Sequence, residues 1–177
     1  MFSILTRWIL VTETYVVEDC WEYYDGSSVT GLSIDSGVSC TSNGSYITIS
    51  KNTSGERYVY LRKALANSDN WEFSGEVAQL GTLQSIAVVF NDANFFGGTS
   101  NNDTQYMAYM GSSVTKNKTA SVGDVYKVIR KNGVTTVKIN DETIDSKTVS
   151  HKTSFKLGYY TNNGRVQHIK NIKLKPL

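Results

Sequence analysis

The most distinctive candidate for chemistry in this sequence is a polar stretch with two adjacent phenylalanines, NDANFFGGTSNND at residues 91–103. Protein–sugar contacts need this mixture, because a flat aromatic ring covers the apolar side of a sugar while amides and carboxylates bind its hydroxyl groups. We interpret the stretch as a loop, and the residues predicted to form a sugar site are Asp92, Asn94, Phe95, Phe96, Asn101, Asn102 and, from the adjoining strand, Tyr106. The stacking platform is predicted to be Phe95, Phe96 or Tyr106. In the alternative, Phe95 or Phe96 caps the open edge of the core.

The remaining polar residues show no spacing typical of a catalytic or zinc centre. The sequence has no nucleophile elbow, phosphate-binding loop or zinc-ligand spacing, and we expect His151 and His168 to lie at the surface. Two oxygen-rich turns, at residues 90–94 and 140–145, contain the carboxylate and carbonyl groups that Ca²⁺ prefers. Neither turn has a defined ligand spacing. No cofactor is therefore assigned, and calcium is kept open.

These residues must be positioned by β-strands, because no sustained helical periodicity runs through the 177 residues. The 11 tyrosines, 14 glycines and single proline suit many short strands joined by polar turns. The predicted strands are 8–17, 32–41, 45–51, 57–63, 71–80, 84–91, 104–110, 124–131, 134–140, 154–161 and 165–175. This spacing predicts an all-β fold, an antiparallel two-sheet β-sandwich of the jelly-roll type, as a single domain over residues 1–177.

The segment around Asn132-Gly133 predicts a β-hairpin with a two-residue turn. Such a turn places Lys131 opposite Val134 and Val128 opposite Val137. The face predicted to be buried consists of Tyr126, Val128, Val137 and Ile139. The other face carries Lys127, Lys131 and Lys138, which we interpret as a solvated outer surface rather than a ligand site.

Charge is unevenly distributed along the chain: residues 116–177 contain 13 Lys and Arg against 4 Asp and Glu, whereas residues 1–115 contain 5 against 12. In a sandwich the late strands pair with earlier ones, so the two halves can offset each other in space. The lysines mostly alternate with apolar residues and lack the Arg-aromatic interleaving typical of nucleic-acid binders. No nucleic-acid partner is predicted.

The apolar residues 1–17 are predicted to form an N-terminal strand or an interface arm, with Phe2, Ile4, Leu5, Trp8 and Ile9 buried against the body or a second subunit. Arg7 and Trp8 interrupt the apolar run, and no stretch approaches the roughly 20 residues of a membrane span, so no membrane insertion is expected. Cys20 and Cys40 form either one disulfide or two buried thiols.

The order of segments resembles the concanavalin A-like (laminin G-like) lectin and glucanase sandwiches. The resemblance covers residues 57–177 and rests on WEFSGEVAQLG, SIAVVFND, VYKVIRKNGVTTVKIND and FKLGYYTNNGRVQHIKNIKLKPL. The preceding EDCWEYYDGSSVTGLSIDSGVSCTSNGSYITIS is similar to the opening segment of such modules in phage tail and microbial surface proteins. These motifs mark a fold rather than a chemistry.

Members of this family that hydrolyse glucans use an E-x-D-x-E strand motif, whose two glutamates flank the glycosidic bond. Glu72 and Glu76 match its ends, but Ser74 replaces the central carboxylate and Gly75 adds flexibility. On a regular strand their Cα atoms lie about 13 Å apart, whereas a retaining pair needs carboxyl groups about 5.5 Å apart.

The resemblance and the residues therefore predict a non-catalytic carbohydrate-binding or adhesion module of a phage tail or cell-surface protein. Its expected partner is a glycan or cell-surface polysaccharide, and its expected location is extracellular, on a virion or on a cell surface. Two alternatives stay open. One is a purely structural assembly module that forms homo-oligomers or larger assemblies, and the other is a glycoside hydrolase that uses Glu72 and Glu76.

Overall fold

The computed structural model describes residues 19–177, whose regular structure is almost entirely β-strand. The strands are β1 Glu22–Tyr24, β2 Ser33–Ile34, β3 Ser39–Ser42, β4 Ile47–Ser50, β5 Arg57–Tyr60, β6 Trp71–Thr82, β7 Ala87–Phe90, β8 Phe95–Thr99, β9 Tyr106–Met110, β10 Ser113–Lys116, β11 Val125–Lys131, β12 Val134–Ile139, β13 Glu142–Thr148, β14 Leu157–Thr161 and β15 Val166–Pro176. A short 3₁₀ turn, Asn101–Asp103, is the helical element of this part of the chain.

Two antiparallel sheets pack against each other. Sheet A has the order β13-β12-β11-β6-β15-β4-β3, with β1 added on β15, and sheet B has the order β10-β9-β8-β7-β14-β5-β2. In most strands, apolar side chains at alternate positions point between the sheets, as the two-residue period of a strand requires. The predicted all-β jelly-roll sandwich is confirmed for the residues described.

Aromatic residues fill the centre of the core. Trp71 and Phe73 from sheet A meet Phe90 and Tyr159 from sheet B, with ring centroids 5.9 Å apart in both pairs. The buried hydroxyl groups of Tyr126 and Tyr159 hydrogen-bond to each other across the sheets. Position 75 has to be glycine, because a Cβ atom there would lie 2.2 Å from the Tyr126 hydroxyl oxygen.

The hairpin of β11 and β12 has the predicted register. Lys131 pairs with Val134 and Val128 pairs with Val137. All four side chains predicted to be buried, those of Tyr126, Val128, Val137 and Ile139, are at most 2% exposed. On the outer face Lys131 is exposed, while Lys127 and Lys138 are half-buried and Lys127 pairs with Asp141 at 2.7 Å. The three lysines therefore lie on the solvent-facing outer surface of sheet A.

Truncating Val128 to alanine is expected to lower the free energy of unfolding by about 1 to 3 kcal/mol, because it leaves a cavity between the sheets. Lys131→Ala, in the same strand, is the matched control and is expected to change it by less than about 0.5 kcal/mol. Urea denaturation followed by circular dichroism measures both. Equal losses of unfolding free energy in the two variants would show that the inner and outer faces of the hairpin are misassigned.

Several strand predictions need correction. The predicted strand 32–41 is divided, because Asp35 begins a turn in which its carbonyl accepts from the amide of Val38 and Gly37 has a φ of 78°. Strands β1, β10 and β13 were not predicted, and residues 91–103 are not one loop, since β8 occupies Phe95–Thr99. The pairing of β15 with β6 shifts register between Lys170 and Lys173, which marks a β-bulge around Asn171.

Two further predictions concern the N-terminal part of the chain. The strand at 8–17 and the arm of residues 1–17 lie outside the described residues, so the extension of the domain to residue 1 stays a prediction. Cys20 and Cys40 are free thiols, and both are half-buried. Burial raises the pKa of the Cys40 thiol to about 11, so this thiol is neutral at physiological pH.

Candidate functional site: an aromatic groove on sheet B

The outer face of sheet B has a depression at its centre, which is bordered by aromatic side chains. One row of paired residues runs from Tyr60 through Gly158, Val89 and Phe96 to Tyr109. Their sequence neighbours on β5, β7, β9 and β14 point inward to the core, so alternation turns this row outward. Because Gly158 has no side chain and Val89 is short, the middle of the row lies lower than its ring-bearing ends.

A groove of about 570 Å³ lies along this face. Its lining is contributed by strands β5, β7, β8, β9 and β14 and by the turns beside them. The lining residues are Glu56, Tyr58, Gln84, Val89, Phe90, Ala93, Asn94, Phe95, Phe96, Ser100, Asn101, Met107, Tyr160 and Arg165. The volume falls within the range of small-molecule binding sites.

Tyrosines form one wall of the groove. Tyr58 and Tyr60 lie two residues apart on β5, so they share a face, and their rings stack at 5.5 Å with planes 14° apart. Tyr160 from β14 lines this wall together with Tyr58, with its ring 6.1 Å away, whereas Tyr60 supports Tyr58 from outside the lining. A Cβ atom at Gly158 would lie 2.5 Å from the Tyr60 ring, so glycine there lets this ring lie against the sheet. Desolvation by burial raises the pKa of Tyr58 and Tyr60, so both hydroxyl groups stay neutral.

Phe96 and Met107 line the opposite side of the groove. Both lie on the outer face, Phe96 opposite Tyr109 in the pairing of β8 with β9. The side-chain amide of Asn94 donates to the hydroxyl of Tyr109 at 3.2 Å, which holds the turn before β8 against the sheet. This side therefore offers a ring, a thioether and a side-chain amide.

The two charged side chains that residues 19–177 contribute to the lining, Glu56 and Arg165, differ in their surroundings. The Tyr58 hydroxyl donates to the exposed carboxylate of Glu56 at 3.2 Å. Arg165 lies over the Tyr160 ring, with its guanidinium carbon 4.8 Å from the ring centroid. The guanidinium also donates to the side-chain oxygens of Gln84 and Asn101. Rings, amides and both charges thus converge on one open groove.

The structure brings four of the predicted sugar-site residues, Asn94, Phe95, Phe96 and Asn101, to this groove. Phe96 points outward, as a stacking platform must. Phe95, the next residue along β8, points inward, where its ring stacks on Phe90 at 4.0 Å. With 4% of its surface exposed, Phe95 packs as in the alternative interpretation, in which a phenylalanine folds back on the core.

The other three predicted residues, Asp92, Asn102 and Tyr106, do not line the groove. Tyr106 is completely buried and its hydroxyl donates to Asp124, so the prediction of Tyr106 as a stacking platform is wrong. Tyr106 lies on β9 at an inward position, between two outward ones. Asn102 is exposed on the 3₁₀ turn, where its backbone amide donates to the carbonyl of Leu83.

Asp92 supports a neighbouring loop instead. Its carboxylate accepts from the backbone amide of Lys152 at 2.6 Å and from His151 Nδ1 at 3.0 Å. The His151 side chain has no exposed surface and stacks on Phe155 at 3.7 Å, so the prediction that His151 lies at the surface is wrong. His168 is half-buried and its ring lies 3.1 Å from the Thr48 hydroxyl.

The stability of the protein is expected to fall as the pH drops from 7.5 to 5.5 (roughly the window around the ordinary His pKa of about 6.5). Burial lowers the pKa of His151, and Arg130 lowers it further, while Asp92 opposes the shift. Below pH 6.5 the unfolded chain therefore binds more protons than the folded chain. One such group contributes at most about 1.4 kcal/mol per pH unit.

Urea unfolding at several pH values measures this dependence. In His151→Asn, the amide replaces Nδ1 as the donor to Asp92 but does not titrate, so the dependence on pH is expected to be shallower than in the wild type. His168→Asn is the comparison variant, because burial also lowers the pKa of His168. An unchanged dependence in His151→Asn would contradict the prediction.

Glu72 and Glu76 lie on the outer face of sheet A, away from the groove. Glu72 is 3.7 Å from the ammonium of Lys175, and Glu76 is 3.0 Å from that of Lys170 and accepts from Asn171 at 2.9 Å. Each glutamate thus has its own cationic partner on β15, and neither lines the groove.

The two oxygen-rich turns use their carboxylates locally. Asp141 pairs with Lys127, and Asp145 lies 3.4 Å from Lys147. Asp92, in the other turn, holds His151 and Lys152. Within residues 19–177 no three His, Cys, Asp or Glu side chains come together as a metal site.

The tyrosine wall and the polar end of the groove were not predicted from the sequence. The signal for the wall was present in RYVY and GYYT, where alternation turns Tyr58, Tyr60 and Tyr160 to one face. No local signal indicated that Gln84 and Arg165, which are 81 positions apart, would meet.

The fold and this groove define a concanavalin A-like jelly-roll sandwich with an open aromatic groove on one sheet. No family model matches the chain, and no curated protein matches its sequence. Among residues 19–177, none of the helical structure is long and apolar enough to cross a membrane.

Solved structures share the fold at low sequence identity. The carbohydrate-binding module CBM66 from Bacillus subtilis is 9% identical, with a TM-score of 0.59 over 82% of this chain and 96% of that chain. The carbohydrate recognition domain of Emp47p is 11% identical, with a TM-score of 0.63 over 87% and 94%. A Bacillus licheniformis β-glucanase is 10% identical, with a TM-score of 0.60 over 91% and 100%. Identities this low establish the shared fold.

Proposed function

We propose that this chain is a non-catalytic carbohydrate-binding module and that its glycan lies in the groove on sheet B. The observation that carries the proposal is the pairing of two ring-bearing walls with amide, carboxylate and guanidinium groups in one open groove. Aromatic faces cover the apolar side of a sugar, and the polar groups bind its hydroxyls. The names of two solved structures with this fold, a carbohydrate-binding module and a carbohydrate recognition domain, agree with such a role.

The setting we propose is extracellular, in a phage tail or cell-surface protein that meets a cell-surface polysaccharide. The support is the resemblance of residues 18–50 to the opening segment of such modules. A shallow, open groove binds a single glycan weakly, so useful strength comes from several copies on one particle. The proposal thus includes multivalent display.

The positions of Glu72 and Glu76 favour binding over hydrolysis. Each carboxylate faces a lysine of β15 on sheet A, whereas the groove lies on sheet B. A glycan seated in the groove is therefore separated from both glutamates by the core. Their role in this proposal is to form ion pairs on the surface.

The test is a glycan array probed with the protein displayed on multivalent beads, followed by calorimetry with any glycan bound. We expect binding by the wild type that free glycan competes away. The absence of binding to every glycan, together with a solution mass above that of a monomer, would favour a structural assembly module. Release of reducing sugar that Glu72→Gln abolishes would instead establish a glycoside hydrolase.

A further inference from the structure

Among residues 19–177, the groove lining contains a single cationic side chain, that of Arg165. It follows the turn between β14 and β15, where its backbone amide donates to the carbonyl of Asn162 at 3.0 Å. This turn brings the guanidinium back over the outer face of sheet B and onto the Tyr160 ring. The cation therefore lies directly beside a proposed sugar-stacking surface.

The guanidinium is held in place by a buried side chain. Gln84 is 3% exposed, and its amide nitrogen donates to the backbone carbonyl of Thr99. This bond fixes the orientation of the amide, so its oxygen accepts from Arg165 Nη1 at 2.5 Å. The side-chain oxygen of Asn101 accepts from Nη2 at 3.0 Å. Arg165 is thus positioned before any ligand arrives, which reduces the entropy lost on binding.

The positive charge of Arg165 is not neutralised by these contacts. Both hydrogen-bond acceptors are neutral amide oxygens, and the ion pairs of residues 19–177 do not include Arg165. The carboxylate in the lining, Glu56, is instead hydrogen-bonded to Tyr58. Because a guanidinium has five N–H donors, contacts through two of them leave three for a ligand.

We propose that the glycan bound in the groove carries a carboxylate, which Arg165 binds while the sugar ring that bears it packs against Tyr160. The inference rests on the proposed carbohydrate-binding function and assigns its ligand class, an acidic sugar such as a uronic acid. A guanidinium matches a carboxylate in shape, and such charge-assisted bonds are roughly twice as strong as neutral ones. The exposed Glu56 beside Tyr58 disfavours a second carboxylate there, so the acidic sugar is placed at the Arg165 side.

The test uses oligosaccharides of several uronic acid backbones, each paired with its carboxyl-reduced form. Reduction replaces the carboxylate with a hydroxymethyl group and keeps the ring and the linkage. Calorimetry or biosensor titration is expected to show the wild type binding the acidic member about 10- to 100-fold more tightly. This preference is expected to shrink as salt rises, because the ion pair is partly open to solvent.

Arg165→Gln is expected to remove the preference for the acidic member and to leave binding of the reduced member within about 3-fold of the wild type. Arg165→Lys keeps the positive charge but loses the paired N–H donors of the guanidinium, so it is expected to retain part of the preference for the acidic member. Arg62→Gln is the matched control, since it makes the same charge change at an exposed residue outside the groove lining. It is expected to behave as the wild type does.

Three results would overturn the inference. Equal wild-type affinity for both members of every pair would show that the groove takes neutral sugars, and the carbohydrate-binding function would stand without it. Tighter binding of sulfated neutral oligosaccharides than of the uronates would assign a different anion. Failure of the wild type to bind any acidic, neutral or sulfated glycan would contradict both this inference and the proposed carbohydrate-binding function.

Discussion

The double substitution Tyr58→Ala with Tyr160→Ala is expected to reduce glycan affinity by roughly 30- to 1,000-fold, a loss of about 2 to 4 kcal/mol of binding free energy. The two rings form one wall of the groove, 6.1 Å apart, and their removal leaves a sugar without an aromatic surface on that side. Both residues are half-buried on the outer face of sheet B, so the core beneath them stays packed. The thermal unfolding midpoint is therefore expected to change little.

Tyr23→Ala is the matched control for this prediction. Tyr23 is 52% exposed and lies on β1 of sheet A, so its loss removes an equally large ring far from the groove. Calorimetry with the glycan found on the array compares the three proteins. Wild-type affinity in the double variant would place the sugar elsewhere, and a loss confined to Tyr23→Ala would move it to the cavity beside Trp21 and Tyr23.

The hairpin of β11 and β12 was predictable because its information is local. Asn132 has a φ of 51° and Gly133 a φ of 81°, the left-handed conformations that a two-residue turn of this type requires. Once the turn fixes the register, alternation assigns every side chain to a face. The same register pairs Arg130 with Thr135.

The burial of Arg130 could not be predicted from the local sequence. By alternation it belongs to the inner face, yet a guanidinium is costly to bury without partners. It is 2% exposed because the carbonyls of Asn67, Gly133 and Val149 accept its hydrogen bonds. Asn67 lies 63 positions away in the chain, and no pattern in the sequence pairs the two.

Strand β8 was missed for a different reason. Its sequence, FFGGT, is flanked by asparagines and contains two glycines, which are typical of turns. Its pairing with β7 and β9 on both sides overrides that local preference. The strand sends Phe95 into the core, as in the alternative interpretation, and Phe96 into the groove, where its role as a stacking platform stays a prediction. Phe96 and the amides of Asn94 and Asn101 were predictable parts of the candidate site, whereas its outline depends on which strands are neighbours.

Trp71→Ala is expected to lower the free energy of unfolding by about 3 to 5 kcal/mol, the range for removing a large buried aromatic side chain. Trp71 has no exposed surface, and its ring packs on Phe90 at 5.9 Å and on Phe155 at 6.2 Å. These contacts connect β6 of sheet A to residues of sheet B and the loop before β14. Since domains of this size are stable by about 5 to 15 kcal/mol, the variant is expected to unfold at a much lower urea concentration.

Trp71→Phe separates the volume of this side chain from its polar atom. The indole nitrogen is buried and has no hydrogen-bond partner among the described residues, so the folded protein bears the cost of desolvating it. Phenylalanine removes that cost and keeps an aromatic ring between Phe90 and Phe155. Its net destabilisation is therefore expected to stay below about 2 kcal/mol, well short of the alanine variant. Urea unfolding followed by circular dichroism compares the two variants, and equal losses would show that the indole N–H makes a hydrogen bond whose loss outweighs the cavity.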